Sequence, residues 1–153
     1  MQKTAAKALL HGVYIVTAKH GDKRNGMTAA WVSQVSFRPL LVMVSVAPER
    51  YTHELIDRSG HFALNTLAEG QKELARSFGF RTGRKADKLE GVRCASAPNG
   101  SPLLEEALAW LECKVVDKVS AGDHTLFIGE VVAGDVLRTD LEPLPFRWGD
   151  FFK

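Results

Sequence analysis

The residues best equipped for chemistry gather in residues 25–52, which read NGMTAAWVSQVSFRPLLVMVSVAPERYT. In the first half, small and hydroxylated side chains follow one another: Asn25, Gly26, Met27, Thr28, Ala29, Ala30, then Trp31. The second half closes on Ser45, Val46, Ala47 and Pro48, followed by Arg50, Tyr51 and Thr52 at what reads as a helix start. A helix N-terminus carries unpaired amides and a partial positive charge, which suit a phosphate. Arg50 can add a charge-assisted hydrogen bond, and small side chains let a ligand approach the backbone. Both halves also have a plainer reading. Asn25-Gly26 is a hairpin-turn dipeptide beside tightly packed alanines, and Thr52 is an ordinary N-cap near a solvated arginine.

Two further places carry reactive side chains. Residues 78–88 read FGFRTGRKADK, where Arg81, Arg84, Lys85 and Lys88 are opposed only by Asp87. Such a run usually means a solvated loop, while the neighbouring Phe78 and Phe80 allow a lip that holds an anionic, aromatic ligand. His124 opens AGDHTLFIGEV. There it is either an exposed residue after a turn or a group placed at a barrel rim to meet a substrate. No metal site is expected, because His11, His20, His53, His61 and His124 show no ligand spacing with each other or with the cysteines. Gly-x-Ser-x-Gly, Gly-x-Gly-x-x-Gly and Walker A patterns do not occur.

The elements that must position these groups are mostly strands. Alternating or β-branched runs predict strands over 13–17, 27–36, 40–46, 61–67, 109–119 and 124–138, the last with a break at Gly134. Short helices are predicted over 2–10, 52–58 and 69–78, with Gly60 ending the second. A turn at residues 99–102 and a hairpin turn at 121–123 punctuate the second half. The tail, PFRWGDFFK, is aromatic and expected to pack on something. Many strands with few short helices predict a mainly β protein, an antiparallel barrel with helical additions.

Composition narrows the class. A length of 153 residues fits one domain spanning 1–153. Twenty basic and 18 acidic residues leave +2, which gives no reason to expect nucleic acid. Two distant cysteines, Cys94 and Cys113, suit a reducing cytoplasm. No apolar run approaches the ~20 residues that span a bilayer, and no signal peptide is expected.

In order along the chain, NGMTAAWVSQVS, LLVMVSVAPERYTHELI, GHFALNTL with ELARSFG, DKLEGV, and AWLECKVVDKVSAGDHTLFIGEV resemble the flavin reductase-like family of FMN-binding split barrels. The resemblance implies a six-stranded antiparallel Greek-key split barrel with short flanking helices. It implies a homodimer holding one FMN per subunit near the interface. Residues 27–31 would lie along the flavin ring and ribityl chain, with Asn25 and Gly26 at the head of that strand. Ser45, Val46, Ala47 and Pro48 would meet the ring, and Arg50, Tyr51 and Thr52 the phosphate. Arg81 and Lys88 would serve the phosphate or a nicotinamide dinucleotide, Asn65 would face the flavin, and His124 would lie near the nicotinamide as the catalytic candidate. The implied activity is an NAD(P)H-dependent flavin reductase. Hydride would pass from nicotinamide to flavin, and electrons onward to a monooxygenase or redox protein. The alternative is a flavoredoxin-like FMN electron-transfer protein that does not use NAD(P)H. The tail departs from the family's usual Tyr-x-x-Gly-x-Tyr ending.

Overall fold

The computed structural model describes residues 1–152. After a short helix α1 (Gln2–Ala6), the chain builds β1 (Tyr14–His20), β2 (Lys23–Ala29), β3 (Val32–Ser36) and β4 (Leu41–Val46). Helix α2 (Tyr51–Ser59) leads into β5 (His61–Thr66), and α3 (Lys72–Gly79) follows. The second half holds a small hairpin, β6 (Cys94–Ser96) with β7 (Pro102–Leu104). Two 13-residue strands come next, β8 (Ala109–Ala121) and β9 (His124–Val136), then α4 (Trp148–Phe151).

One sheet carries the fold, in the order β2-β1-β5-β8-β9-β4-β3, with every pairing antiparallel. β2 and β3 stand at opposite ends of that order yet are joined by only Ala30 and Trp31. So short a link brings the two ends together and closes the sheet into a barrel with a split between them. β5 returns beside β1 after β2, β3 and β4 have been laid down, which is the Greek-key path. The main sheet has one strand more than the six expected, because the segment read as a single strand over 27–36 breaks at the link. Fold class and architecture otherwise agree with the sequence reading: a mainly β split barrel with short helices.

β1 shows why this sheet can be buried on both sides. Val16 and Ala18 point into the barrel, where they meet Val42, Val44, Val46, Phe62, Leu64 and Phe127. Ile15 points the other way, into a second core with Phe78, Leu89, Leu104 and Leu144. Successive strand residues face opposite sides, so a strand covered on both faces reads as a continuous apolar run.

Three local expectations change. Asn25 and Gly26, read as a turn, lie inside β2; the turn joining β1 and β2 is at Gly21 and Asp22, with Gly21 at φ 61°, where the sequence also predicts a turn over 20–22. β9 runs unbroken through Gly134, which pairs with Leu111. The turn at 99–102 joins two three-residue strands too short to show a period. Gly60 ends α2 in the left-handed region at φ 74°, as expected.

Candidate functional site

β2, the end of β4, the start of α2 and the loop after α3 surround one cavity of about 660 Å³. That size is usual for a small-molecule site. From β2 and the link after it come Asn25, Met27, Thr28, Ala29, Ala30 and Trp31. The end of β4 and the start of α2 bring Ser45, Ala47, Arg50, Tyr51 and Thr52. The loop adds Arg81 and Lys88, and the first residue of β9 is His124. Residues distant in sequence therefore meet, because β4 lies beside β9 and the barrel closes at Trp31. The Ser45 amide donates to the Trp31 carbonyl at 3.0 Å, which fixes the two walls together.

Four expected residues do not line the cavity. Val46 is fully buried in the barrel core, and Pro48 lies in the turn before α2. Gly26 sits under the site: its carbonyl takes a hydrogen bond from Lys88, and a side chain there would meet Ile15 and Phe78 at 3.1 Å. Asn65 corrects the expectation that it faces a ligand. Its amide donates to the Ile15 carbonyl and Thr17 hydroxyl and accepts from the Leu104 amide, so all of its side chain binds the fold.

The polar floor is built on Asn25 and Thr52. Asn25 Nδ2 donates to Thr52 Oγ1 at 2.9 Å, and both side chains are buried. Thr52 is thus not the N-cap: α2 begins after Arg50, and among the described residues no side chain caps its first amides. Those amides open beside the cavity with the positive end of the helix dipole. Asn25 Oδ1 is buried and finds no hydrogen bond among the described residues; it lies against Gly83, where an added Cβ would stand 2.0 Å away. Thr28 turns its hydroxyl to the Ala75 carbonyl of α3.

The buried charge of the site is positive. Lys88 is only 5% exposed, and its Nζ donates to the carbonyls of Phe78 at 2.7 Å and Gly26 at 3.2 Å. Among the described residues it forms no ion pair. Burial, then the nearby Arg50 and Arg81, bring its ammonium down from 10.5 to about 8. Arg84 lies over the Tyr51 ring at 4.9 Å and pairs with Glu54 at 3.3 Å.

His124 stands at the other chemistry. Its ring lies 4.9 Å from that of Trp31, tilted by 50°, and its Nδ1 is 2.7 Å from Asp123 Oδ1. The hydrogen bond to the imidazole holds the Asp123 carboxyl below its usual range.

The cavity also contains residues the sequence reading did not place there. Glu49, Gly79, Thr82 and Gly83 complete the rim beside Phe80, which the lip reading did place there, whereas Phe78 is buried in the second core. Phe146, Trp148, Phe151 and Phe152 bring the C-terminal segment into the wall. The aromatic composition of the tail was the only sequence signal for it. Among the described residues, no three His, Cys, Asp or Glu side chains cluster as metal ligands, and no helix is long and apolar enough to cross a membrane.

Comparison with known proteins gives a consistent picture. The flavin reductase like domain matches residues 6–152. The chain is 39% identical over 130 residues to diflavin flavoprotein A 1 of Synechocystis sp., covering 84% of this chain and 23% of that protein. It is 37% identical over 150 residues to the high molecular weight rubredoxin of Moorella thermoacetica, covering 97% of this chain and 65% of that protein. It thus spans about a quarter of the diflavin flavoproteins it matches. Among solved structures, NADH:FAD oxidoreductase SgcE6 of Streptomyces globisporus C-1027 superposes with a TM-score of 0.89 at 30% identity, covering 97% of this chain and 88% of that one.

Proposed function

The chain belongs to the flavin reductase-like family, and from that premise we propose that it is an FMN-binding oxidoreductase that accepts hydride from NAD(P)H. The observation that carries the reading is the uncompensated cation in the cavity. A buried ammonium without a carboxylate is costly, and Lys88 shares its corner with Arg50 and Arg81. A phosphate dianion offsets that cost, and it also suits the uncapped start of α2. The residues present therefore fit FMN.

Thr52, Arg50, Tyr51, Arg81 and Lys88 hold the phosphate in this reading. Met27, Thr28, Ala29, Ala30 and Trp31, with Asn25, flank the ring and ribityl chain, and Ser45 offers its hydroxyl and Ala47 its amide to the ring edge. Bound flavin would supply the redox chemistry, while the chain supplies orientation and electrostatics. With Nδ1 bonded to Asp123, His124 keeps Nε2 available to position a nicotinamide. Residues 1–153 act as one FMN-binding domain, as a homodimer, and pass electrons to a monooxygenase or a redox protein. Both cysteines are free thiols, which fits a cytoplasmic setting.

The test is stopped-flow mixing of FMN-loaded protein with NADH and with NADPH. Rapid bleaching of the flavin by either is expected, and His124→Ala should slow it by about tenfold or more through lost positioning. Bleaching by neither, with FMN bound, favours the second reading, a flavoredoxin-like electron carrier. The likeness to a protein named for rubredoxin supports that alternative. Parallel titration with FAD checks the choice of flavin. A protein that binds no flavin sinks both readings.

A further inference from the structure

The loop after α3 does more than supply cations to the cavity. Phe80, Arg81, Thr82 and Gly83 line it, whereas Arg84 does not. Arg84 reaches across to another wall instead. Its guanidinium lies 4.9 Å over the Tyr51 ring, and its Nη1 donates to Glu54 Oε2 at 3.3 Å, both partners belonging to α2. The far end of the loop is fixed separately. Asp87 pairs with Arg24 of β2 at 2.9 Å and accepts from the Leu89 amide at 3.0 Å, and Lys88 is held by the Phe78 and Gly26 carbonyls. Between Gly79, the last residue of α3, and that anchor, the other bonds are local. Arg81 Nε donates to the Ser77 carbonyl at 3.3 Å, and the Arg84 amide to the Thr82 hydroxyl at 3.2 Å. Among the described residues, Arg84 thus supplies the only side-chain hydrogen bond or ion pair that ties residues 80–86 to α2.

Seating the loop in this position has a cost at Gly83. Its backbone lies so close to Asn25 Oδ1 that an added Cβ would stand 2.0 Å from that oxygen, and only glycine allows the approach. The same contact buries Oδ1, which finds no hydrogen bond among the described residues. A buried acceptor left unpaired is costly, and the cost is lifted if the loop swings away and water reaches the oxygen. The tie that opposes this is weak. The Arg84 and Glu54 side chains are 46% and 37% exposed, and Glu54 is shared with Arg58 at 3.7 Å. Exposed ion pairs and cation–π contacts contribute little each. A weak tie set against a real penalty leaves two positions of the loop close in free energy, which is the condition for an element that moves.

We propose that residues 80–84 are a strap that opens to let flavin enter and leave, and that Arg84 is the positioning residue that latches it shut. Arg84 acts through Tyr51 and Glu54 and touches no ligand. Shut, the strap sets Arg81 beside Lys88 and Arg50; open, it frees the cavity rim between α3 and α2. The strength of this latch then decides how long a flavin stays. The inference rests on the flavin reading for the identity of the ligand that passes, and on the loop's own contacts for the motion.

The test has two arms, both on the full chain. In the flavin-free protein, amide nitrogen relaxation dispersion should find exchange confined to residues 80–84, and Arg84→Ala should raise the minor, open population by about tenfold. By stopped flow, the same variant should quicken FMN association and FMN dissociation together, each by about tenfold, leaving affinity within about twofold. Arg84→Lys keeps a charge for Glu54 but loses the planar stacking on Tyr51, and should fall between wild type and Arg84→Ala. Gly83→Ala cannot seat the strap against Asn25, and should quicken both rates with Arg84 in place. The latch is overturned if Arg84→Ala speeds dissociation alone and weakens FMN, since Arg84 would then be a flavin contact. It is also overturned if neither rate changes, or if residues 80–84 show no exchange in either protein. If the exchange behaves as described but no flavin binds, the flavin reading fails and the strap stands.

Discussion

Lys88 shows how far a single residue was legible in the sequence. Residues 78–88 displayed four cations and one acid, but an irregular loop has no period to say which cation turns inward. Lys85 is exposed while Lys88 is buried, and only the carbonyls of Phe78 and Gly26, contributed by other elements, decide between them. Asn65 failed for the same reason. Its partners Ile15, Thr17 and Leu104 are remote in sequence, so nothing local marked it as structural. The burial of Lys88 has a measurable consequence. In the empty protein its ammonium is brought down to about 8, whereas a bound phosphate dianion favours the charged form. Below that pH the site is already charged, and FMN affinity should be level. Above it the free protein has lost the proton that the complex retains, so affinity should fall by about tenfold per pH unit. Titrating FMN from about pH 7 upward checks this. An affinity unchanged through pH 9 would mean that Lys88 does not meet the anion, and Lys88→Gln should abolish the dependence.

At the scale of elements, hydrophobic period located the strands but not their interruption. Residues 27–36 keep a strand-like composition throughout, and only the pairing of β2 with β1 and of β3 with β4 shows the chain crossing the split at Ala30 and Trp31. That crossing places Trp31 against His124 and makes the cavity. The remaining strands of the main sheet followed their period to within a few residues, because each has at least one core face. Barrel closure also sets tight contacts that no local pattern reveals. Gly129 in β9 faces Phe62 and Cys113, and an added Cβ would lie 2.6 Å from Phe62 Cζ and 2.9 Å from Cys113 Cβ. Phe62 is fully buried and has nowhere to move. Gly129→Ala should therefore destabilise the protein by about 1–3 kcal/mol through overpacking. Urea denaturation should show a lower midpoint with an unchanged slope, and flavin stoichiometry should stay as in wild type. A midpoint equal to wild type would show that the barrel interior relaxes more freely than its packing indicates.

For the whole molecule, the apolar surface left over by the barrel argues for a second copy. β8 and β9 carry Val116, Val119, Val132 and Val136, all exposed, and Leu40, Val35 and Phe37 are exposed on and around β3 and β4. Val132 stands at an irregularity in the ladder, where Glu112 faces Ala133 and Cys113 faces Val131, leaving Val132 unpaired. A bulge of this kind re-aims a side chain. Together with Val136, Leu40 and Trp110 it borders a shallow apolar groove on the outside of the sheet. Exposed apolar side chains gathered along one groove mark an interaction surface, and a two-fold pairing is the simplest way for a single chain to cover it. The proposed homodimer should therefore sediment at twice the 16.8 kDa of the chain. Val132→Glu with Val136→Glu puts two like charges on the groove and two more opposite them across a two-fold axis. That variant should sediment at 16.8 kDa with its β-sheet circular dichroism intact. If the dimer forms as before, the groove is not the dimer contact. If wild type sediments at the monomer mass across the micromolar range, the homodimer itself is wrong, while the proposed flavin cavity, lined by side chains of one chain, is unaffected.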